Sequence, residues 1–313
     1  MESFPAEVIS ALEYCEHDTR LSIIPHMTSV STLTAGKSNR NFLINTPTQD
    51  YVLRVNSAES SFICDRENEI ECWRIAEQSS LAPKLFWVSG DNNFYLSEYI
   101  QQPIDKGYGL KEVQKLLNAL STLPLPTKII TCEQQWQIYQ QQVQSITTQL
   151  LQTNNFDLLT EYEQWNKLKS KLDSLQPNIK GWVDFLESLN VKPQFCHRDL
   201  NPENILIKNG QLICIDFEYA CQSHPLFELA SLIENHDLTE SDKKLIVTDY
   251  LKSHSELNLS NRVEFEIATK LFWSFYDYWV VIMAGRVLIE QLESSSEITE
   301  TSKQFKEYYS LAK

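Results

Sequence analysis

The chain has 313 residues, is 42% apolar and carries a formal charge of -15, enough length and apolar content for one large domain or two lobes with real cores. That charge argues against a nucleic-acid partner, which needs a basic surface to neutralise phosphates, and suits cationic small molecules better. No apolar run reaches the ~18 residues of a membrane span, the N-terminal MESFPAEVIS lacks the features of a secretory signal, and seven scattered cysteines form no C-x-x-C pair. A cytoplasmic protein with reduced thiols, no structural zinc and no membrane partner is expected.

Between Ser31 and Tyr99 the pattern is one of short strands with a single helix among them. RNFLINT and DYVLRVNS are β-prone runs separated by PTQ, and LFWVSGDNNFYLSEYI predicts two strands around a Gly-Asp-Asn-Asn turn. Between them CDRENEIECWRIAEQSS has helical period and charge pattern. On that helix Glu69 shares a face with Cys72, Trp73 and Ala76, at offsets of three, four and seven. A carboxylate on the apolar side needs a cation. Glu71 falls on a more polar face, and Glu67, which is intermediate, stands as the alternative to Glu69.

Beyond the polar stretch EYIQQPIDKGYG the sequence turns mostly helical, except around residues 205 to 216. Trp136, Tyr139, Val143, Ile146 and Leu150 recur at spacings of three and four and predict one buried stripe on a helix. ATKLFWSFYDYWVVIMAGRVL is apolar nearly all round, as a buried helix requires. Its Trp273, Tyr276 and Tyr278 or Trp279 supply more aromatic bulk than packing needs. Aromatic faces attract quaternary ammonium groups by roughly 0.5 to 2 kcal/mol each, so these rings are either core or the wall of a cation pocket.

The densest chemistry lies in QFCHRDLNPENILIKNGQLICIDFEYA, residues 194 to 220. Asn209-Gly210 predicts a type I′ hairpin turn, which pairs Lys208 with Gln211 and, along the ladder, Ile205 with Cys214 and Asn204 with Ile215. Asn204 and Asp216 then meet at the open end of one hairpin. One amide and one carboxylate there suit Mg²⁺, which takes its remaining ligands from water and substrate phosphates. Asp199, upstream on a Pro-containing loop, is left to accept a proton from an attacking hydroxyl, the division of labour of phosphoryl transfer. His197 has no second His nearby and is expected to brace the loop through hydrogen bonds. Cys196 beside it points to the opposite side of an extended segment, which disfavours a Cys-His nucleophile.

At these residues the chain resembles the aminoglycoside phosphotransferase and choline kinase superfamily, whose fold is that of the eukaryotic-type protein kinases. HRDLNPEN resembles its H-x-D-x-x-x-x-N loop, IDFEYA is similar to the D-[FW]-E-Y segment of choline and thiamine kinases, and HPLFELASLIE resembles the segment after that motif in small-molecule kinases. The resemblance covers about residues 31 to 290. It implies an α+β, two-lobed protein-kinase-like fold: a small antiparallel-sheet lobe over 1–97, a hinge over 98–103 and a larger, mainly helical lobe over 104–313. It implies ATP and Mg²⁺. LTAGKSNRNFLI resembles the G-x-[ST]-N turn of these enzymes, placing Gly36, Ser38 and Asn39 at the nucleotide; a Walker A reading fails because position 31 is Ser and a strand comes next.

Arg54 in YVLRVN stands where choline kinases carry Arg and aminoglycoside enzymes carry Lys, and Glu69, fourteen residues before Pro83, matches the spacing of its partner. Glu98 and Ile100 of LSEYI fall at the hinge that meets adenine. Asn201 and Glu218 are expected to tune the metal and substrate region, and Trp273 and Tyr276 match two aromatic positions of a choline kinase stretch. The function implied is transfer of the ATP γ-phosphoryl to a small cationic alcohol, choline or ethanolamine first and thiamine next. An aminoglycoside acceptor, or a non-catalytic pseudokinase module, is the alternative.

Overall fold

The computed structural model describes residues 4–16, 28–33, 39–57, 64–103, 107–152, 159–293 and 298–312; Gly36 and Ser38 lie outside them. Two compact units interleave along the chain: Met1–Ile129, Gln194–Gln222 and Asn235–Tyr250 form the first, and Ile130–Pro193, Ser223–Glu234 and Leu251–Lys313 the second.

In the first unit helix α1 (Ala6–Glu16) precedes strands β1 (Ser29–Leu33), β2 (Arg40–Asn45) and β3 (Asp50–Val55). Helix α2 (Arg66–Gln78) and strands β4 (Leu85–Val88) and β5 (Phe94–Glu98) come after them. The strands make one antiparallel sheet in the order β1-β2-β3-β5-β4. Period-two alternation gives the sheet two different faces. Phe42, Ile44, Tyr51, Leu53, Trp87, Phe94 and Leu96 form one apolar cluster with Val8 and Ala11 of α1, and each large side chain buried there contributes roughly 1.5 to 3 kcal/mol. The alternate positions of β3 and β5 carry Arg54 and Tyr95, directly paired across the ladder, and Trp73 of α2 packs edge-on to Tyr95 at 6.2 Å.

Helix α2 begins at Asp65, whose Oδ1 accepts the Asn68 N–H at 3.2 Å, with Glu67 and Glu69 in the first turn where the helix dipole favours negative charge. Its buried residues include Glu69, Cys72, Trp73 and Ala76, the face expected from the spacing.

The first unit continues with helix α3 (Leu110–Ser121). After α4 (Cys132–Gln152) and α5 (Leu159–Glu187), which belong to the second, the chain returns to it at β6 (Gln194–Cys196), β7 (Ile205–Lys208), β8 (Gln211–Cys214) and β9 (Cys221–Ser223). The β7-β8 ladder pairs Lys208 with Gln211 and Ile205 with Cys214, the register anticipated from the turn. Asn209 and Gly210 have φ of 51° and 76°, as a type I′ turn demands.

Residues 194 to 222, assigned from the sequence to the helical lobe, thus fall into one compact unit with the sheet. The bonds responsible are Cys214 N–H to Leu81 O at 2.8 Å, Asn68 Nδ2 to Ala220 O at 2.6 Å and the Lys208–Glu98 ion pair at 2.6 Å.

The second unit is helical: α4, α5, most of α6 (Pro225–Asn235), α8 (Arg262–Glu293) and α9 (Ile298–Tyr309), with α7 (Glu240–Ser253) lying mainly in the first. Trp136, Tyr139, Val143, Ile146 and Leu150 are all buried on α4. Trp165 of α5 is fully buried and donates its indole N–H to Val281 O of α8 at 2.8 Å. A small antiparallel sheet and a larger helical region together give the protein-kinase-like α+β class. Among the described residues no helix is long and apolar enough to cross a membrane, and Cys64, Cys72, Cys132, Cys196, Cys214 and Cys221 are free and buried.

Candidate active site

The segment from His197 to Asn204 is fastened by its own polar side chains. Asn201 caps the short turn Pro202–Asn204, its Oδ1 accepting N–H bonds from Glu203 at 2.9 Å and Asn204 at 3.0 Å. Its Nδ2 donates to Asp199 Oδ1 at 3.1 Å, and Asn204 Nδ2 donates to Asp199 Oδ2 at 2.8 Å. Each carboxylate oxygen of Asp199 is therefore oriented by one amide. Burial raises the Asp199 carboxyl, the nearby charge of Asp216 raises it further, and the two amides oppose them, leaving it at about 6. With its nitrogen engaged, Asn204 retains a carbonyl Oδ1 that accepts no hydrogen bond among the described residues.

His197 is fully buried. Its Nε2 lies 2.9 Å from Ile215 O, and its Nδ1 accepts the Asp199 N–H at 3.4 Å. Burial lowers the ring to about 4, so at neutral pH it is uncharged, with Nε2 donating and Nδ1 accepting. The ring also packs 4.9 Å from Phe217. It thereby ties the Asp199 loop to the bend at Asp216, whose backbone is left-handed (φ 65°, ψ 67°). That conformation is unfavourable for a residue with a side chain and persists where its surroundings enforce it.

Asp216 faces the sheet. Arg54 Nη1 donates to Asp216 Oδ1 at 2.9 Å, Nη2 to Glu218 Oε2 at 3.3 Å and Nε to Asn56 Oδ1 at 2.9 Å. Glu69 Oε1 also lies 2.9 Å from Arg54 Nη1, an ion-pair contact off the N–H direction. Glu69, not the exposed Glu67, is thus the helix carboxylate at Arg54. These three acids hold the guanidinium above its ordinary value although burial alone would lower it. Glu218, nearly buried itself, is pushed up to about 8 by burial and by the charges of Asp216 and Glu69.

Asn39 has its amide engaged inside the protein: Nδ2 donates to Glu218 at 3.2 Å, and Oδ1 accepts from Ser57 N–H at 3.1 Å and Arg66 at 3.4 Å. At the end of β5, the N–H groups of Glu98 and Tyr99 are taken by Lys84 O and Asp50 O, while that of Ile100 meets no acceptor among the described residues. The structure brings Arg54, Glu69, Asn39, Asp216 and Glu218 into one network, and His197, Asp199, Asn201 and Asn204 into the adjoining loop.

Trp273 and Tyr276 form a separate group on α8 in the second unit. Their rings are edge-on at 5.5 Å, both half-buried, and Trp273 Nε1 donates to Glu234 at 2.8 Å. Tyr278 is core, its hydroxyl accepting from Trp136 at 3.3 Å.

Three residues bonded into the first network were not anticipated: Arg66, Asn56 and Tyr95. The available signal was position, since Arg66 lies one helical turn before Glu69.

A family model described as "Phosphotransferase enzyme family" matches residues 29–257. The chain belongs to that family. A protein LicA of Haemophilus influenzae is 25% identical to this phosphotransferase over 235 residues, 75% of this chain and 66% of the relative's length. A LicA from the Rd strain of that species is 25% identical over 233 residues, 74% and 82%. Among solved structures, the choline kinase LicA from Streptococcus pneumoniae superposes with a TM-score of 0.63 at 16% identity, covering 96% of this chain and 99% of that one. The ADP-bound aminoglycoside phosphotransferase APH(2'')-Ib gives 0.52 at 16% identity, covering 98% and 97%. At such identities the structures show a shared fold.

Proposed function

We propose that this phosphotransferase moves the γ-phosphoryl group of ATP to the hydroxyl of a small cationic alcohol, choline or ethanolamine first and thiamine next. The observation that carries the reading is Asp199, with both oxygens oriented by amides, on one loop with Asn204 and tied through His197 to Asp216. Asp199 accepts the proton of the acceptor hydroxyl, whose oxygen bonds to the γ phosphorus as the bond to the bridging oxygen breaks and ADP leaves. With its carboxyl at about 6, the base is ionised at neutral pH yet basic enough to take that proton.

Arg54 holds the phosphates of the nucleotide, with Glu69 as its buried partner, and Glu98 and Ile100 meet the base. Asn204 Oδ1 and the second oxygen of Asp216, which accepts no hydrogen bond among the described residues, fit a hard cation. Mg²⁺ held there with the nucleotide would neutralise phosphate charge as it develops. Asn201 keeps the loop in shape, and Glu218 keeps Arg54 and Asn39 in place. The cationic acceptor is supported by the chemistry of Trp273, Tyr276 and Glu234, two half-buried rings with a carboxylate, and by the choline kinases among the relatives.

The test incubates the purified protein with γ-labelled ATP, Mg²⁺ and, separately, choline, ethanolamine, thiamine and aminoglycosides. Label in phosphocholine or phosphoethanolamine is expected. Label only in the aminoglycosides would overturn the acceptor assignment, and transfer to none would overturn the reading as a whole.

A further inference from the structure

The directed hydrogen bonds of the charge network are unevenly shared. Arg54 aims its donors at Asn56, Asp216 and Glu218. The hydrogen bonds to Glu69 come instead from Arg66, whose Nη1 donates to Oε2 at 2.7 Å, and from the Tyr95 hydroxyl at 3.3 Å. Arg66 Nη1 also lies 3.5 Å from Glu218 Oε2, and its Nη2 donates to Asn39 Oδ1 at 3.4 Å. Arg66 is thus one buried cation touching the helix carboxylate, the acid two residues after Asp216, and the residue just beyond the 34–38 segment.

Two guanidinium groups face three carboxylates: Glu69 with no exposure, Glu218 nearly buried, and Asp216 about one-third open. If nucleotide phosphates draw on Arg54 and a metal draws on Asp216, Glu69 still requires a cation, because a buried carboxylate left unpaired is strongly disfavoured, and Glu218, pushed toward its neutral form by burial, holds its charge only beside one. Arg66 is the other guanidinium within reach of both.

We infer that Arg66 is a positioning residue of the phosphate site: by holding Glu69, Glu218 and Asn39 it lets Arg54 turn its charge to the nucleotide. Without it, Arg54 is recruited to the two buried acids and withheld from phosphate. The inference rests on the nucleotide reading of this site. It separates binding of phosphate and metal from binding of the base, because Glu69, Glu218 and Asn39, which Arg66 holds, belong to the charge network and not to the 98–100 segment.

The test measures MgADP and AMP affinity by calorimetry on the full chain for wild type, Arg66→Met and Arg66→Lys, with melting temperatures alongside. AMP offers a single phosphate and no metal chelate. Arg66→Met is expected to weaken MgADP at least tenfold and AMP less than threefold, while Arg66→Lys, which keeps the charge, recovers part of the MgADP loss. Equal loss for both nucleotides would mark Arg66 as merely structural and overturn the inference, as would MgADP affinity within twofold of wild type. Should Arg66→Met unfold, Arg66→Lys decides: its one nitrogen replaces the two that reach Glu69 and Asn39, so a threefold or larger selective loss of MgADP is expected, and parity with wild type overturns the proposal. A wild type that binds neither nucleotide would defeat the functional reading itself, a result distinguishable from all of these.

Discussion

Asp199 stands between opposing influences: burial and the charge of Asp216 push its carboxyl up, and the amide hydrogens of Asn201 and Asn204 pull it down. Because the base must be ionised to accept a proton, turnover is expected to fall about tenfold per pH unit below about 6. Asn201→Ala removes one group that favours the ionised form, so the acidic limb should move to higher pH. A profile of kcat/KM against pH from 5 to 8 checks both, and a limb that stays in place or moves to lower pH in the variant would contradict the assignment. Arg54 behaves differently. Exchange for Met takes from Glu69 and Glu218 one of the two guanidinium groups beside them, and loss of one partner from a buried charge group typically costs about 3 to 5 kcal/mol. Arg54→Met should therefore lower urea stability by that order as well as weaken nucleotide binding; an unchanged denaturation midpoint would show that the network carries little of the fold.

Helix packing in the second unit turns on Gly285. A Cβ there would sit 2.6 Å from Ile146 Cγ2 and 2.8 Å from Trp165 Nε1. In an exposed helix Gly→Ala gains about 1 kcal/mol, whereas overpacking a core costs about 1 to 3 kcal/mol. The clash should win, and Gly285→Ala is predicted to destabilise by up to about 2 kcal/mol in urea denaturation; a more stable variant would contradict this packing. Elements differed in how plainly the sequence announced them. The β7-β8 hairpin was legible because Asn209-Gly210 admits few turns, and the turn fixes the register. The inward face of α2 was legible because Glu69, Cys72, Trp73 and Ala76 share one stripe. Helix α1 was not, since what makes it part of the core is the sheet face it covers. Burial of Arg66 escaped for a related reason: periodicity places an arginine on a face but cannot say that acids from residue 69 and residue 218 will converge on it. The left-handed Asp216 and the inward engagement of Asn39 likewise depend on contacts distant in sequence.

At the scale of the whole molecule, metal, nucleotide and stability are linked. Asn204 and Asp216, the proposed ligands, offer one amide and one carboxylate, which alone should bind Mg²⁺ weakly and depend on the nucleotide for the remaining ligands. A ligand confined to the native state adds about 2.7 kcal/mol at a hundred times its Kd. MgADP should therefore raise Tm clearly, Mg²⁺ alone should not, and ADP with a chelator should raise it less; a shift with Mg²⁺ alone equal to that with MgADP would point to a self-sufficient metal site instead. The chain's charge of -15 makes the Coulombic attraction of a cationic acceptor sensitive to salt. The account depends most on Asp199 as the proton acceptor. Its most direct test is the rate of label transfer from γ-labelled ATP to choline by wild type and Asp199→Asn, with MgADP affinity measured on both. The account predicts a loss of about a thousandfold or more in turnover, with binding of MgADP within a few fold of wild type; equal turnover by the two proteins would contradict it.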